Sequence, residues 1–289
     1  MKRLKHIIKR IFSIIGRNEM LILPGNIAFF IVLSIIPIIL LVCFILSLFS
    51  VPISIADYMK GVVPQSVIDL LVPFFSKGLT LNVGIFTIVG LILASNGPDS
   101  IIIASNELYG IKQQKYLNRR IKAIFMTIIL VVLIVLIALL LAFGNNILKS
   151  ILSLEVFENA SSIVYPIVKI LKWPLSFILI FYSVKLIYTL CPSEHIPSMY
   201  MAKGSMFTTI GWICVTAIYS YYVNNFASYD AIYGSLSSII ILMMWIFILS
   251  YILVIGMVIN STSYEYHKLK ENELIKEKEE NNKEEVCNK

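Results

Sequence analysis

The chain has 289 residues, of which 58% are hydrophobic and only 14% charged, with a formal net charge of +7. A soluble domain of average composition carries ~25% charged residues, so this balance excludes an ordinary water-soluble enzyme or binding module. Only four cysteines and three histidines are present, which is a thin supply for metal or nucleophilic chemistry.

In chain order, residues 1–20 form a basic arm with Lys2, Arg3, Lys5, Lys9, Arg10 and Arg17 against one acid, Glu19. The first apolar run, 27–49, is interrupted only by Ser34 and Ser47. It is too long for the ~7–15 residue core of a signal peptide and lacks a small-x-small cleavage site, so it is expected to remain as a membrane span. Comparable runs recur at 81–103, 121–143, 173–191, 205–223 and 234–260. A helix rises ~1.5 Å per residue, so ~20 apolar residues cross the hydrocarbon core. The expected fold is all-α: a polytopic bundle of six transmembrane helices over residues 21–263, followed by a charged tail at 264–289.

The positive charges orient this bundle. The loop between the second and third runs holds Lys112, Lys115, Arg119, Arg120 and Lys122, and all five arginines lie in this loop or the basic arm. Segments rich in Lys and Arg stay cytoplasmic. With an even number of spans, both termini are then expected on the cytoplasmic side of the cell membrane. The same charge attracts anionic lipid head groups, and membrane lipids rather than nucleic acid are the expected partners.

The outer loops are unusual. Residues 53–76 and 147–171 intersperse apolar residues with sparse polar ones, a pattern suited to short helices in the membrane interface. The tail after Tyr264 alternates eight Glu with six Lys and has too little apolar surface to fold alone. It is expected to extend the sixth helix and fray into disorder.

Polar residues within spans are where a sequence of this kind speaks of mechanism. The second run is broken by Ala94-Ser95-Asn96-Gly97-Pro98-Asp99-Ser100. Pro98 lacks a backbone donor, and broken helices line substrate sites in transporters, although neighbouring helices can also satisfy such a kink. A charge at the bilayer centre costs ~2.5–3.5 kcal/mol on insertion scales, so Asp99 is expected to face protein or water. Lys185 in the fourth run either snorkels to the boundary or pairs with Asp99. With Asn26, Ser95, Asn96, Asn106 and Asn260, these two residues make up a candidate inner polar pocket, a cytoplasm-facing vestibule. A second candidate motif, at the outer end, comprises Asn225, Tyr229, Asp230, Tyr233 and Gly234. Its tyrosines read as an interfacial belt, and Gly234 with Ser238 reads as a close-packing face.

Several of these residues carry a family resemblance. Asn225-Phe-Ala-Ser-Tyr-Asp-Ala-Ile-Tyr-Gly-Ser-Leu-Ser-Ser, followed by Trp245, Gly256 and Asn260, resembles the end of the YihY/virulence factor BrkB membrane family. Gly25-Asn-Ile-Ala-Phe-Phe-Ile-Val-Leu-Ser-Ile-Ile-Pro37 is similar to its first span. Asn106-Glu-Leu-Tyr-Gly110 resembles the close of its second span, and Lys172-Trp-Pro-Leu-Ser176 the start of its fourth. The likeness runs from about residue 20 to 265; the Asn96-Gly-Pro98 break and a shorter tail depart from it. The resemblance implies a six-span inner-membrane protein and no defined reaction. Its members have carried the label ribonuclease BN, but this chain offers no clustered acids for two-metal phosphoryl chemistry. The expectation is therefore no enzyme, no cofactor and no metal. A permease or flippase-like transporter of a lipid or amphiphile comes first, and a non-transporting structural or regulatory envelope protein is the alternative. Substrate and oligomeric state stay open.

Overall fold

The computed structural model describes residues 13–14, 16, 19–48, 81–152, 161–225 and 233–287. The basic arm up to residue 12, the 53–76 segment, Tyr229 and Asp230 lie outside them. Within the described residues every secondary-structure element is helical: α1 (Glu19–Leu48), α2 (Leu81–Ala94), α3 (Asn96–Tyr109), α4 (Tyr116–Leu152), α5 (Ser161–Leu190), α6 (Ala202–Asn225) and α7 (Ser237–Cys287). Short 3-10 turns at Ser198–Met201 and Gly234–Leu236 lead into α6 and α7.

Three stretches among the described residues are long and apolar enough to cross a membrane: Ile88–Tyr109, Ser198–Val223 and Ile239–Lys270. Ile22–Ile38 and Phe177–Leu190 are shorter apolar helices. Their outward surfaces carry large apolar side chains, among them Phe29, Leu33, Ile92, Ile178, Ile210 and Phe247. Apolar residues on the outside as well as the inside are what lipid, not water, accommodates.

Two expectations change at the ends of the long helices. The segment from 147 is not a separate interfacial helix. α4 runs unbroken for 37 residues to Leu152, ~55 Å at the helical rise, because nothing between Phe143 and Leu152 is stiff enough to stop the hydrogen-bond ladder. Likewise α7 does not fray at Tyr264 but continues to Cys287. Lys and Glu are good helix formers.

The core lies around α3. Ile101, Ile102 and Ala104 meet Met20, Leu23 and Ile27 of α1, Ala123 and Met126 of α4, Val184 and Tyr188 of α5, and Leu253, Val254, Met257 and Val258 of α7. A smaller cluster of Leu41, Ala94, Val131 and Val135 lies beside it. So the half-helix after the break, the least apolar part of its span, is also the piece the bundle wraps most closely.

Candidate functional site

The break itself follows from local chemistry. Ser95 sits between α2 and α3 with φ −73° and ψ −4°, and α3 restarts at Asn96. Pro98 then falls in the first turn of α3, where a missing N–H costs least because that turn's donors have no intrahelical partner. Gly97 has such an orphan donor, and it donates to Ser34 Oγ of α1 at 3.1 Å. Ser34 in turn donates to Phe30 O at 2.7 Å. A Cβ on Gly97 would stand in van der Waals contact with Ser34 Oγ, at 3.4 Å. Ser95 Oγ donates back to Ile92 O at 2.7 Å, and Ser100 Oγ to Gly97 O at 2.6 Å.

The remaining groups of the break are met from α4. Arg119 Nε donates to Asp99 Oδ1 at 2.7 Å, with Nη2 3.5 Å from Oδ2. Arg120 Nη1 donates to Asn96 Oδ1 at 2.8 Å, and its Nη2 to Ile92 O at 2.6 Å. The Asp99–Arg119 side chains are 14% and 17% exposed respectively, so the pair sits at the rim of the bundle. Asp99 in the first turn of α3 is further favoured by the helix dipole. Lys185 is not its partner; it remains half-buried on α5. Two guanidinium groups one turn before the apolar part of α4 reach the break, whereas the Lys185 ammonium on α5 does not.

Asn106 belongs to a different structure. Gly110, at φ +64°, closes α3, with its N–H on Glu107 O (3.2 Å) and that of Ile111 on Asn106 O (2.8 Å). This is the double bond pattern of a left-handed helix cap, and it accounts for glycine at position 110. The fully buried Asn106 side chain donates to Ser193 Oγ at 2.7 Å and accepts from Ser193 N at 2.8 Å. Gln114 Nε2 donates to Ser193 O at 3.3 Å, and Lys122 Nζ donates to the carbonyls of Cys191 and Pro192. The 110–115 and 191–197 loops are thus clasped together. The Cys191 thiol is fully buried beside this clasp.

Asn260 serves a third purpose. Its Oδ1 accepts from Gly204 N at 2.7 Å, where α6 crosses α7. A Cβ on Gly204 would stand 2.1 Å from Gly256 O, and one on Gly256 would stand 2.1 Å from Thr208 Oγ1 and 2.2 Å from Tyr188 Oη. Tyr188 Oη is 2.6 Å from Thr208 Oγ1 and donates to Leu253 O at 2.8 Å. Glycine at both positions lets the two backbones touch.

The expected inner pocket therefore divides into three: the break with Ser95, Asn96 and Asp99; the loop clasp at Asn106; and the crossing at Asn260. Asn26 is half-buried in α1 and joins none of them by a hydrogen bond among the described residues. In the outer motif, Asn225 ends α6 and Tyr233 is exposed. Gly234 is a turn residue at φ +53° with open space where a Cβ would stand, not part of a close-packing face. That role falls to Gly204 and Gly256, whose Gly204-x-x-x-Thr208 and Gly256-x-x-x-Asn260 spacings were the available signal. Ser34, Arg119, Arg120, Tyr188 and Ser193 had no such signal, since each acts through a partner distant in sequence.

The sequence model of the family described as Virulence factor BrkB matches residues 11–282. This chain belongs to the BrkB family. It is 28% identical over 272 residues to the ribonuclease-like protein YfkH of Bacillus subtilis (strain 168), covering 91% of this chain and 96% of that one. The UPF0761 membrane protein of Actinobacillus pleuropneumoniae serotype 5b (strain L20) is 25% identical over 216 residues, 74% of this chain and 73% of its own. The UPF0761 membrane protein YihY of Shigella boydii serotype 4 (strain Sb227) is 29% identical over 121 residues, 42% and 40% of the two chains. No solved structure matches the chain. The BrkB assignment fits the helices that are long and apolar enough to span a membrane, and the similarity covers the break, the clasp and the crossing alike.

Proposed function

We propose that this BrkB protein is a six-span protein of the cytoplasmic membrane with both termini inside, and a flippase-like permease for a lipid or amphiphilic substrate. The observation that carries this reading is the Asp99–Arg119 pair at the interrupted span. A buried or half-buried ion pair contributes little net stability against an apolar replacement, but it makes a reversible latch between a broken helix and the adjoining loop. The reading is of a closed state in which Arg119 and Arg120 hold the break shut from the cytoplasmic side. Opening it would expose Asn96 and Asp99, as substrate sites at discontinuous helices require.

The reading includes no ribonuclease activity, whatever the name of the Bacillus relative. Two-metal phosphodiester cleavage needs clustered ligands, and among the described residues no three His, Cys, Asp or Glu side chains come together to hold a metal ion. Purified protein given tRNA precursors and divalent metals is expected to cleave no more than a mock preparation. Turnover abolished by substituting one intramembrane acid would overturn this.

The full chain, reconstituted into vesicles with a fluorescent phospholipid, is expected to expose the label to an external quencher faster than protein-free vesicles do. Arg119→Gln should change that rate. Rates equal to protein-free vesicles for both proteins would favour the second reading, a non-transporting envelope protein. That alternative draws on the hydrogen bonds that already satisfy the break. Reporter fusions after Lys122 and at the C-terminus should read cytoplasmic and one at Asp230 external; a cytoplasmic signal at Asp230 would end the six-span reading.

A further inference from the structure

Asp99, Lys122 and Lys185 are the formally charged residues within the six apolar runs. The protein itself answers two of them. Asp99 takes Arg119, and Lys122 Nζ donates to the carbonyls of Cys191 and Pro192. The Lys185 ammonium has no hydrogen-bond or ion-pair partner among the described residues. One turn earlier on α5, Tyr182 is exposed, and its hydroxyl also lacks a partner among the described residues. Ile178, Tyr182, Lys185 and Thr189 recur at spacings of four, three and four, so they share one face of α5. Val184 and Tyr188 carry the core side of the helix. Thr189 Oγ1 is already engaged, donating to Lys185 O at 2.8 Å. Measured from Leu190, where α5 ends, Lys185 stands ~7.5 Å and Tyr182 ~12 Å along the axis at the helical rise.

A membrane core offers polar groups no water to bond, and cations within spans pair with acids or mark a ligand path. No acid of this protein is free to serve. Asp99 is the only one in the six apolar runs and it holds Arg119; a second copy of the chain would bring the same inventory. The counter-charge therefore comes from a molecule other than this chain, one that carries an anion and reaches α5 through lipid. An ammonium with a hydroxyl donor one turn away suits the oxygens of a phosphate or carboxylate. The lysine supplies the charge-assisted bond and the phenol a second, directional donor. Exposed Ile178, one turn beyond Tyr182, offers apolar contact to the attached chain. We infer that Lys185 and Tyr182 bind the anionic head group of a membrane amphiphile.

This rests on the six-span permease reading, which puts α5 in lipid, and it narrows the substrate to an anionic amphiphile; the binding itself can be tested alone. The full chain in non-ionic detergent is offered equal amounts of phosphatidylglycerol and phosphatidylcholine with identical acyl chains, and retained lipid is counted by native mass spectrometry. Several-fold more phosphatidylglycerol is expected on the wild type; equal retention overturns the site. Lys185→Gln should bring the preference close to one while leaving phosphatidylcholine retention as it was. An unchanged preference, the result for a lysine that only snorkels, overturns the assignment. Tyr182→Phe removes only an exposed hydroxyl and should at least halve the preference; no change overturns the paired site. Lys112→Gln/Lys115→Gln, on the exposed loop, should keep the preference, and its loss there would move the anion off α5 and overturn the site. Inorganic phosphate at ~10 mM, a concentration that screens exposed charge only weakly, should leave the lipid bound; displacement would mark a site for soluble anions and overturn the amphiphile assignment. Lys185-dependent binding without lipid flux in vesicles would sink the permease reading and leave this site standing; flux without such binding would do the reverse.

Discussion

The break between α2 and α3 and the crossing of α6 on α7 both place polar groups inside an apolar bundle, and they do so in opposite ways. At the break, the partners are side chains reaching across from other helices: Ser34 from α1, Arg119 and Arg120 from α4. The contacts lie at a rim where Asp99 and Arg119 keep some exposure. At the crossing, Gly204 and Gly256 bring backbone against backbone, and Tyr188, Thr208 and Asn260 close the gap fully buried. Long side chains can let go and return, whereas touching backbones have no rotamer by which to part. The bundle is thus pinned on the α6–α7 side and fastened by releasable bonds on the α2–α4 side.

The severest test of that contrast is Gly204→Ala. Its Cβ would meet a backbone carbonyl at 2.1 Å, and overpacking of a core that cannot yield should cost about 3 kcal/mol. Thermal unfolding in detergent should show a large loss of folded protein; a wild-type melting temperature would mean that the helices separate easily. Asp99→Ala comes next. Removing one member of a buried pair costs ~3–5 kcal/mol; partial exposure of this pair should reduce the loss to about 2 kcal/mol. Asp99→Asn, which keeps a hydrogen bond to Arg119, should lose less. Equal losses in the two variants would show that charge is not what fastens the break.

Tyr188→Phe removes the hydroxyl that links Thr208 to Leu253 O. Hydrogen bonds between membrane helices average ~0.6 kcal/mol and reach ~1.7, so a loss of about 1 kcal/mol is expected, visible as a modest fall in melting temperature. Gly90→Ala supplies the baseline. Gly90 lies in α2, and a Cβ there would have no atom within 4 Å. Replacing a helical glycine with alanine should then be neutral or stabilising by about 0.5 kcal/mol. A loss comparable to that of Gly204→Ala would show that α2 is also pinned and would erase the contrast.

Composition and apolar runs were enough to make this chain a helical membrane protein, because lipid leaves a spanning backbone few alternatives. The position of the break was equally legible: adjacent Gly97 and Pro98 weaken a helix ladder by their own covalent chemistry. The basic loop stood out too, but only as a charge bias. What the tertiary structure decided was pairing. Asp99, Asn106 and Asn260 look alike in sequence, as polar residues toward the same ends of their spans. They are separated into latch, clasp and crossing by helices that approach them from α4, from the loop after α5 and from α6. Which cation reaches Asp99 depends on how α4 and α5 sit against α3, and that arrangement comes from packing distributed over the whole core. Spacing along the chain carries no record of it. The close-packed glycines follow the same logic. Gly90 also has a small residue four positions on, Ala94, yet only at Gly204 and Gly256 does the approach of a second helix make a methyl group intolerable.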